Sequence, residues 1–378
     1  YQEDKFSKAN RDLTNTQLFT NRSMAVMMPL MNTVMNGLML AVYWIGAVLI
    51  NAADVMDKLT LFSNMVVFSS YSVQVIMSFL TMSMVFVLWP RADVSAKRVM
   101  EILDTDPAVT DGAYTGAAAD VTVGQGGERG TVEFRDVSFT YPDSREAMLE
   151  HVSFKVEPGQ TMAFIGATGS GKSTLINLVL RFYDATDGQV LVDGHDVRDY
   201  TLKSLRDRIG YVPQTSVLFK GTVAGNVAYP VSEGDVDRAA VQQGIDVAQA
   251  SEFVDRMPGG LNANISQGGA NVSGGQKQRL SIARAVARNP EILIFDDSFS
   301  ALDFRTDRAV RGALAEHCKG ATKLIVAQRI GTIMNADQIL VLDDGKVVGH
   351  GTHRELLETC PVYREIAESQ LSKDELAV

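Results

Sequence analysis

Two stretches of this chain are apolar for longer than a soluble helix requires, while the rest alternates short apolar runs with amphipathic text. Ser23 to Ala53 carries no charge, and neither does Leu59 to Pro90. Each exceeds the ~20 apolar residues that cross a bilayer as a helix. Between them lies a short acidic turn, Asp54-Val55-Met56-Asp57-Lys58. The flanks, residues 1–22 and Ala92 to Leu103, read as helix and carry Lys5, Lys8, Arg11 and Arg22 on one side and Lys97 and Arg98 on the other, with Arg91 just before the second flank. The pattern predicts transmembrane helices at about 23–53 and 59–90, the second ending near Trp89-Pro90. Basic outer ends and an acidic turn place both ends in the cytoplasm.

Ser63, Ser70, Gln74, Ser78 and Thr81 recur by a seven, two fours and a three in the second span. That spacing collects them on one helical face. Such a stripe serves helix–helix hydrogen bonding or lines a transport pathway. Met27, Met28, Met31, Met35 and Met39 suit either ordinary packing or an adaptable surface for apolar ligands.

Beyond the helical text, residues 99–130 are read as a linker, rich from 104 onward in Gly, Ala, Asp and Thr. Val132-Glu133-Phe134-Arg135-Asp136-Val137 alternates as a strand should. From 131 to 368 short apolar runs alternate with helical patterns, which predicts an α/β domain with a largely parallel core sheet. Residues 369–378 are read as a tail. A length of 378 residues accommodates these parts, being too long for one ordinary domain.

The net charge of −10 argues against nucleic acid as a partner, because phosphate-backbone binding needs a basic face. Cys318 and Cys360 are far apart and suggest reduced cytosolic thiols, neither a disulfide framework nor a zinc site. The chain opens on Tyr1 in charged helical text, as would the C-terminal part of a longer protein. Lys373-Asp374-Glu375-Leu376 resembles an endoplasmic-reticulum retention signal, but Ala377-Val378 follow it, and such a signal is read only at the extreme terminus.

Two motifs carry chemistry. Thr161-Met162-Ala163-Phe164-Ile165 is a buried-strand run that enters Gly166-Ala167-Thr168-Gly169-Ser170-Gly171-Lys172-Ser173, and Thr174 to Leu180 continues as helix. This is the strand–loop–helix setting of a Walker A loop, whose backbone N–H groups and helix N-terminus cradle phosphates. Lys172 is placed to reach the β- and γ-phosphates of ATP, and the Ser173 hydroxyl to ligate Mg2+. Ile292-Leu293-Ile294-Phe295-Asp296 is an apolar strand ending in a carboxylate. Asp296 there would complete the magnesium site, usually through a coordinated water.

At Asn271-Val272-Ser273-Gly274-Gly275-Gln276-Lys277-Gln278-Arg279 the sequence resembles the signature motif of ATP-binding-cassette proteins. Other elements stand in that family's order: Tyr141 for the aromatic that stacks on adenine, Gln214 for the loop glutamine that senses magnesium, and Ser300-Ala301-Leu302-Asp303 for the loop that crosses between paired cassettes. The N-terminal part, residues 1–98, resembles the last two helices of an exporter-type permease. The resemblance implies a membrane α-helical segment followed by an α/β P-loop ATP-binding cassette with a helical subdomain. It also implies that each signature, here Ser273, Gly274, Gly275 and Gln276, closes on the ATP of a second half-transporter.

Two positions depart from the family. Asp297 stands where the family usually has Glu to polarise the attacking water, and Gln328 where it has a switch histidine. Asp retracts the carboxylate by ~1.5 Å, and a misplacement of ~1 Å can cost on the order of 100-fold in rate. Glutamine hydrogen-bonds but cannot become cationic. Val272 replaces the usual Leu and Gln267 a frequent Glu, the latter bearing on contact with the permease. The expectation is the hydrolysis-impaired half of a bacterial heterodimeric exporter of the multidrug type. It would lie in the cytoplasmic membrane, its partner carrying Glu and His at the two altered positions, and move a small molecule. The alternatives are a homodimer turning over slowly with Asp297 and a nucleotide-gated channel or regulatory subunit; the two uncharged spans disfavour a soluble cassette protein.

Overall fold

The computed structural model describes residues 2–115, 129–230 and 236–371, and the chain divides into two compact units, Tyr1–Asp106 and Pro107–Val378. The first holds two helices, α1 (Gln2–Ala52) and α2 (Val55–Leu103). Both are long and apolar enough to cross a membrane. Each runs past its uncharged span. Pro90 does not end α2; the helix continues beyond it, where Lys97 pairs with Asp93 one turn back at 2.8 Å.

Along α1 the partly shielded positions are Met31, Met35, Met39, Val42, Gly46 and Ile50, a spacing of fours and a three that makes one seam. Three of the methionines therefore pack, whereas Met27 and Met28 are exposed. On α2 the buried polar residue is Ser69, whose hydroxyl lies 3.1 Å from the Met39 sulfur and 3.5 Å from the Tyr43 hydroxyl. Ser63, Ser70, Gln74, Ser78 and Thr81 are all exposed. Ser78 and Thr81 return their hydroxyls to the carbonyls of Gln74 and Met77. The stripe thus faces away from α1, and Ser69, which lies outside it, supplies the polar contact between the helices.

The second unit begins with an antiparallel sheet in the order β2 (Leu149–Val156), β1 (Val132–Phe139), β4 (Asp187–Val192), β5 (His195–Asp196). Behind it lies a six-stranded sheet in the order β12 (Lys346–Gly351), β11 (Gln338–Asp343), β3 (Thr161–Gly166), β10 (Thr322–Val326), β9 (Ile292–Asp296), β6 (Ile209–Val212). Its strands β11, β3, β10, β9 and β6 are parallel and β12 is antiparallel. Strands β9 and β10 are buried at every position, as a central parallel strand covered on both faces must be. Alternate residues feed two cores: Ala163 and Ile165 one, Met162 and Phe164 the other. Helices α3 (Lys172–Val179) and α4 (Leu202–Asp207) belong to the core part. A helical part follows, with α5 (Val223–Val227), α6 (Arg238–Val247), α7 (Ser251–Val254) and α8 (Gly274–Ala287), plus the short pair β7 (Gly221–Thr222) and β8 (Asn264–Ile265). The chain closes with α9 (Phe304–His317), α10 (Ile330–Ile333), α11 (His353–Thr359) and α12 (Pro361–Gln370).

The stretch read as a linker is not uniform. Helix α2 occupies its first residues, and Asp111 to Tyr114 is bound to the cassette. Gly112 and Tyr114 donate their N–H groups to the carbonyls of Tyr200 and Asp199. Thr201 donates to Tyr114, and Leu202 to the Asp111 carboxylate at 2.7 Å. The Tyr114 ring stacks on His195 with centroids 4.3 Å apart. Only glycine fits at position 112, where a Cβ would collide with the Asp199 carbonyl. Residues 116–128 of that stretch, and 372–378 with the Lys373 to Leu376 motif, lie outside the described residues.

Candidate functional site

Strand β3 delivers the chain to the phosphate loop, and α3 leaves it. Gly169 and Gly171 take φ values of 87° and 97°, a left-handed conformation open to glycine and suited to converging backbone N–H groups. Lys172 is buried and its ammonium donates to the Gly166 carbonyl (2.9 Å), the Ala167 carbonyl (2.6 Å) and the Ser170 hydroxyl (3.2 Å). Burial depresses its pKa, and the carboxylates of Asp297 and Asp296 oppose that shift. The ammonium therefore sits among acceptors, which charged phosphate oxygens would outcompete.

The Ser173 hydroxyl donates to Asp296 Oδ1 at 3.0 Å, joining the start of α3 to the end of β9. Burial raises the Asp296 pKa, only partly offset by Ser173. Two hard oxygen donors fit magnesium, which takes one or two protein ligands and completes its shell with water and phosphate. Among the described residues no cluster of three His, Cys, Asp or Glu side chains exists to hold a different ion. The bound ion would neutralise charge on the β- and γ-phosphates.

Asp297 follows Asp296 with φ 45°, a left-handed backbone in which Asp is enriched over bulkier residues. Its N–H is tied to the Val326 carbonyl at 2.9 Å. A carboxylate only accepts, and Asp297 Oδ2 accepts twice, from Gln214 Nε2 at 3.2 Å and from Gln328 Nε2 at 3.0 Å. Burial nevertheless raises its pKa. Gln214 thus joins the carboxylate that follows Asp296.

Gln328 is itself held from the far end of the chain. Gln370, at the end of α12, donates its amide to the Gln328 carbonyl at 2.8 Å and accepts from the Ile330 N–H at 2.9 Å. No sequence motif marks this residue, which falls in the segment read as a tail. Replacing it, Gln370→Ala, is expected to speed amide exchange of Ile330 by roughly fivefold, the worth of about one hydrogen bond. Hydrogen-exchange mass spectrometry over residues 328–333 checks this; unchanged exchange would show that the contact does not hold the loop.

Tyr141 is brought to the loop helix: its hydroxyl lies 3.0 Å from Thr174 Oγ1, and its ring meets Phe139 and Tyr183 edge-on at 4.7 and 5.2 Å. The signature is elsewhere, at the start of α8. Ser273 caps that helix through a reciprocal box: its hydroxyl accepts from the Gln276 N–H, while Gln276 Oε1 accepts from the Ser273 N–H at 2.8 Å. Ser273 and Gly274 are exposed, and Gly275 lies beside Ala301 and Leu302. Among the described residues no hydrogen bond joins Ser273 to Gln276 with the phosphate loop. The signature therefore presents a helix N-terminus to solvent, available to an anion.

Residues 149–300 match the family model described as ABC transporter. An uncharacterized ABC transporter ATP-binding protein of Mycobacterium tuberculosis (strain ATCC 25618 / H37Rv) is 41% identical over 374 residues, covering 98% of this chain and 62% of the relative. The ATP-dependent lipid A-core flippase of Escherichia coli (strain K12) is 39% identical over 320 residues, 85% of this chain and 53% of that protein. The solved structure of a bacterial Atm1-family ABC exporter with ATP bound aligns with a TM-score of 0.71 at 34% identity, over 84% of this chain and 54% of the other. The chain thus spans little more than half the length of these relatives. Its fold is that of such exporters: N-terminal apolar helices, then a P-loop α/β cassette.

Proposed function

From the premise that the cassette is an ATPase domain of the ABC-transporter type, we propose that this chain is the ATP-binding, energy-coupling half of a membrane exporter. Its own phosphate loop holds ATP and magnesium but turns them over poorly. Its signature, Ser273 to Gln276, completes the competent site of a second, non-identical half-transporter.

The observation that carries this reading is the state of Asp297. Hydrolysis needs a carboxylate oxygen free to orient water toward the γ-phosphorus and take its proton as the bond to the leaving diphosphate breaks. Asp297 is one methylene short, and of its two oxygens Oδ2 already accepts from two amides, which leaves Oδ1 alone to orient water from a retracted position. Gln328 carries no proton it can share as a cation against the γ-phosphate. Lys172, Ser173 and Asp296 keep the arrangement that binding requires. The exposed signature supports the second part, since a helix N-terminus with two glycines offers backbone donors to a partner's nucleotide.

The cargo on this reading is a small amphipathic molecule. The polar stripe of α2 faces away from α1, and flippases of lipid A-core are among the relatives. The cassette lies on the cytoplasmic side of the membrane, in line with the basic flanks of the apolar spans.

Purified alone in lipid nanodiscs, the subunit is expected to bind the fluorescent analogue TNP-ATP while releasing negligible phosphate. Robust turnover by the subunit alone would overturn the heterodimer and favour a homodimer working through Asp297. Once paired, transport against an opposing gradient separates a pump from a nucleotide-gated channel.

A further inference from the structure

We infer that a cationic cleft on the cassette, between α9, α10 and the face of β9 and β10, is an effector site for a small amphipathic organic anion. The cleft has a volume of about 510 Å³, within the range of small-molecule sites. It opens near Gly159 and Thr161, at the start of β3, whereas the phosphate loop lies at the other end of that strand.

Its chemistry has two parts. The floor is apolar, with Phe295, Phe299, Leu314 and Ile325, and the two phenyl rings lie 5.0 Å apart. The walls carry Arg308, Arg311, Lys319 and Lys323, and no lining residue is acidic. In a chain of net charge −10 such a concentration of cations stands out. Arg311 is neutralised by Asp307 through two bonds of 2.9 Å. Lys323 is buried within a strand, its ammonium held by the carbonyls of Cys318 and Ala321 at 2.8 and 3.0 Å, with Asp337 nearby. Arg308 and Lys319 make no ion pair or hydrogen bond with the described residues. An apolar floor under uncompensated cations selects a ligand with an apolar body and one anionic group. An inorganic ion would leave the floor unused, and a neutral ligand the cations.

Gly312 gives a second, independent observation. It sits inside α9, where glycine is less favourable than alanine. A Cβ there would meet nothing within 4 Å, so packing does not demand the glycine; its lack of a side chain leaves the wall of the cleft open. The position of the cleft suits an effector. Phe295 and Phe299 bracket Asp296 and Asp297 in the chain, α9 follows the Ser300 to Asp303 loop, and α10 follows Gln328. Arg311 bridges the two helices by donating to the Thr332 carbonyl at 3.3 Å. An occupant wedged there bears on both loops at the nucleotide site, and by reciprocity nucleotide must alter its affinity. The inference rests on the cleft and stands whether or not the neighbouring site hydrolyses ATP.

The test uses the full chain in lipid nanodiscs and 4-(trifluoromethyl)benzoate as probe, followed by 19F NMR with empty nanodiscs as blank. Saturable binding is expected, and the neutral 4-(trifluoromethyl)benzamide should bind about tenfold more weakly through loss of charge-assisted bonds. Binding should be lost in Gly312→Leu, which fills the cleft, and in Arg308→Glu/Lys319→Glu, whose exposed changes leave folding intact. TNP-ATP binding by both variants reports an intact nucleotide site, and saturating benzoate should shift TNP-ATP affinity of the unaltered chain about threefold. Absence of saturable binding, equal binding of the amide, or binding that survives both variants would overturn the site. Unchanged TNP-ATP affinity at saturation would overturn its effector role.

Discussion

Lys172→Ala is expected to weaken binding of TNP-ATP by roughly 100-fold, the loss of about two charge-assisted contacts of ~1.5 kcal/mol each. The ammonium is buried and its present partners are two loop carbonyls and a hydroxyl, acceptors that phosphate oxygens outcompete because they carry charge. Burial penalises the ammonium, so a bound anion gains more from it than an anion in water would. The substitution leaves the carbonyls of Gly166 and Ala167 at the mouth of the loop, where water replaces the lost donor, and the fold should persist. Equilibrium titration with TNP-ATP in magnesium checks the figure. Affinity within threefold of the unaltered chain would mean that nucleotide is not held at this loop.

What the sequence disclosed and what it hid follow one physical division. Gly166 to Ser173 and Ile292 to Asp296 were legible because a phosphate loop and the strand beside it are specified locally, by glycines at forced conformations and by an apolar run with a terminal carboxylate. The order of apolar runs likewise implied the parallel sheet. Contacts that join remote parts of the chain left no such trace. Gln370 reaches the loop at Gln328 by a side-chain amide from a different helix, and nothing in Glu368-Ser369-Gln370 distinguishes it from a solvated terminus. Tyr114 looked like part of a polar connector because its stacking partner, His195, is fixed only once β5 has formed. The polar stripe of α2 was visible as a period, but which side of it met α1 depended on the seam of Met31, Met35 and Met39. The contact of Gln214 with Asp297, at 3.2 Å, likewise joins residues 83 positions apart and leaves no local trace.

That last contact sets the second large effect. Asp297→Glu with Gln328→His is expected to raise single-turnover cleavage of ATP at this site by about 100-fold in the assembled transporter, the scale of a ~1 Å correction in the position of the base. Neither change should achieve this alone. Glutamate alone advances the carboxylate by ~1.5 Å but leaves neutral Gln328 against the γ-phosphate, and it places a longer side chain on the left-handed backbone of position 297. Histidine alone gains a group able to become cationic but still faces an aspartate that is held back and bridged by Gln214. Groups that act as a unit are non-additive, so the double change should exceed the product of the single ones. Rapid-quench measurement of the four proteins closes the cycle. If Asp297→Glu alone recovers the full rate, the amide of Gln328 is a bystander and chain length is the whole impairment. If the double change gains nothing, the block lies outside Asp297 and Gln328, and the clamp reading of this site fails.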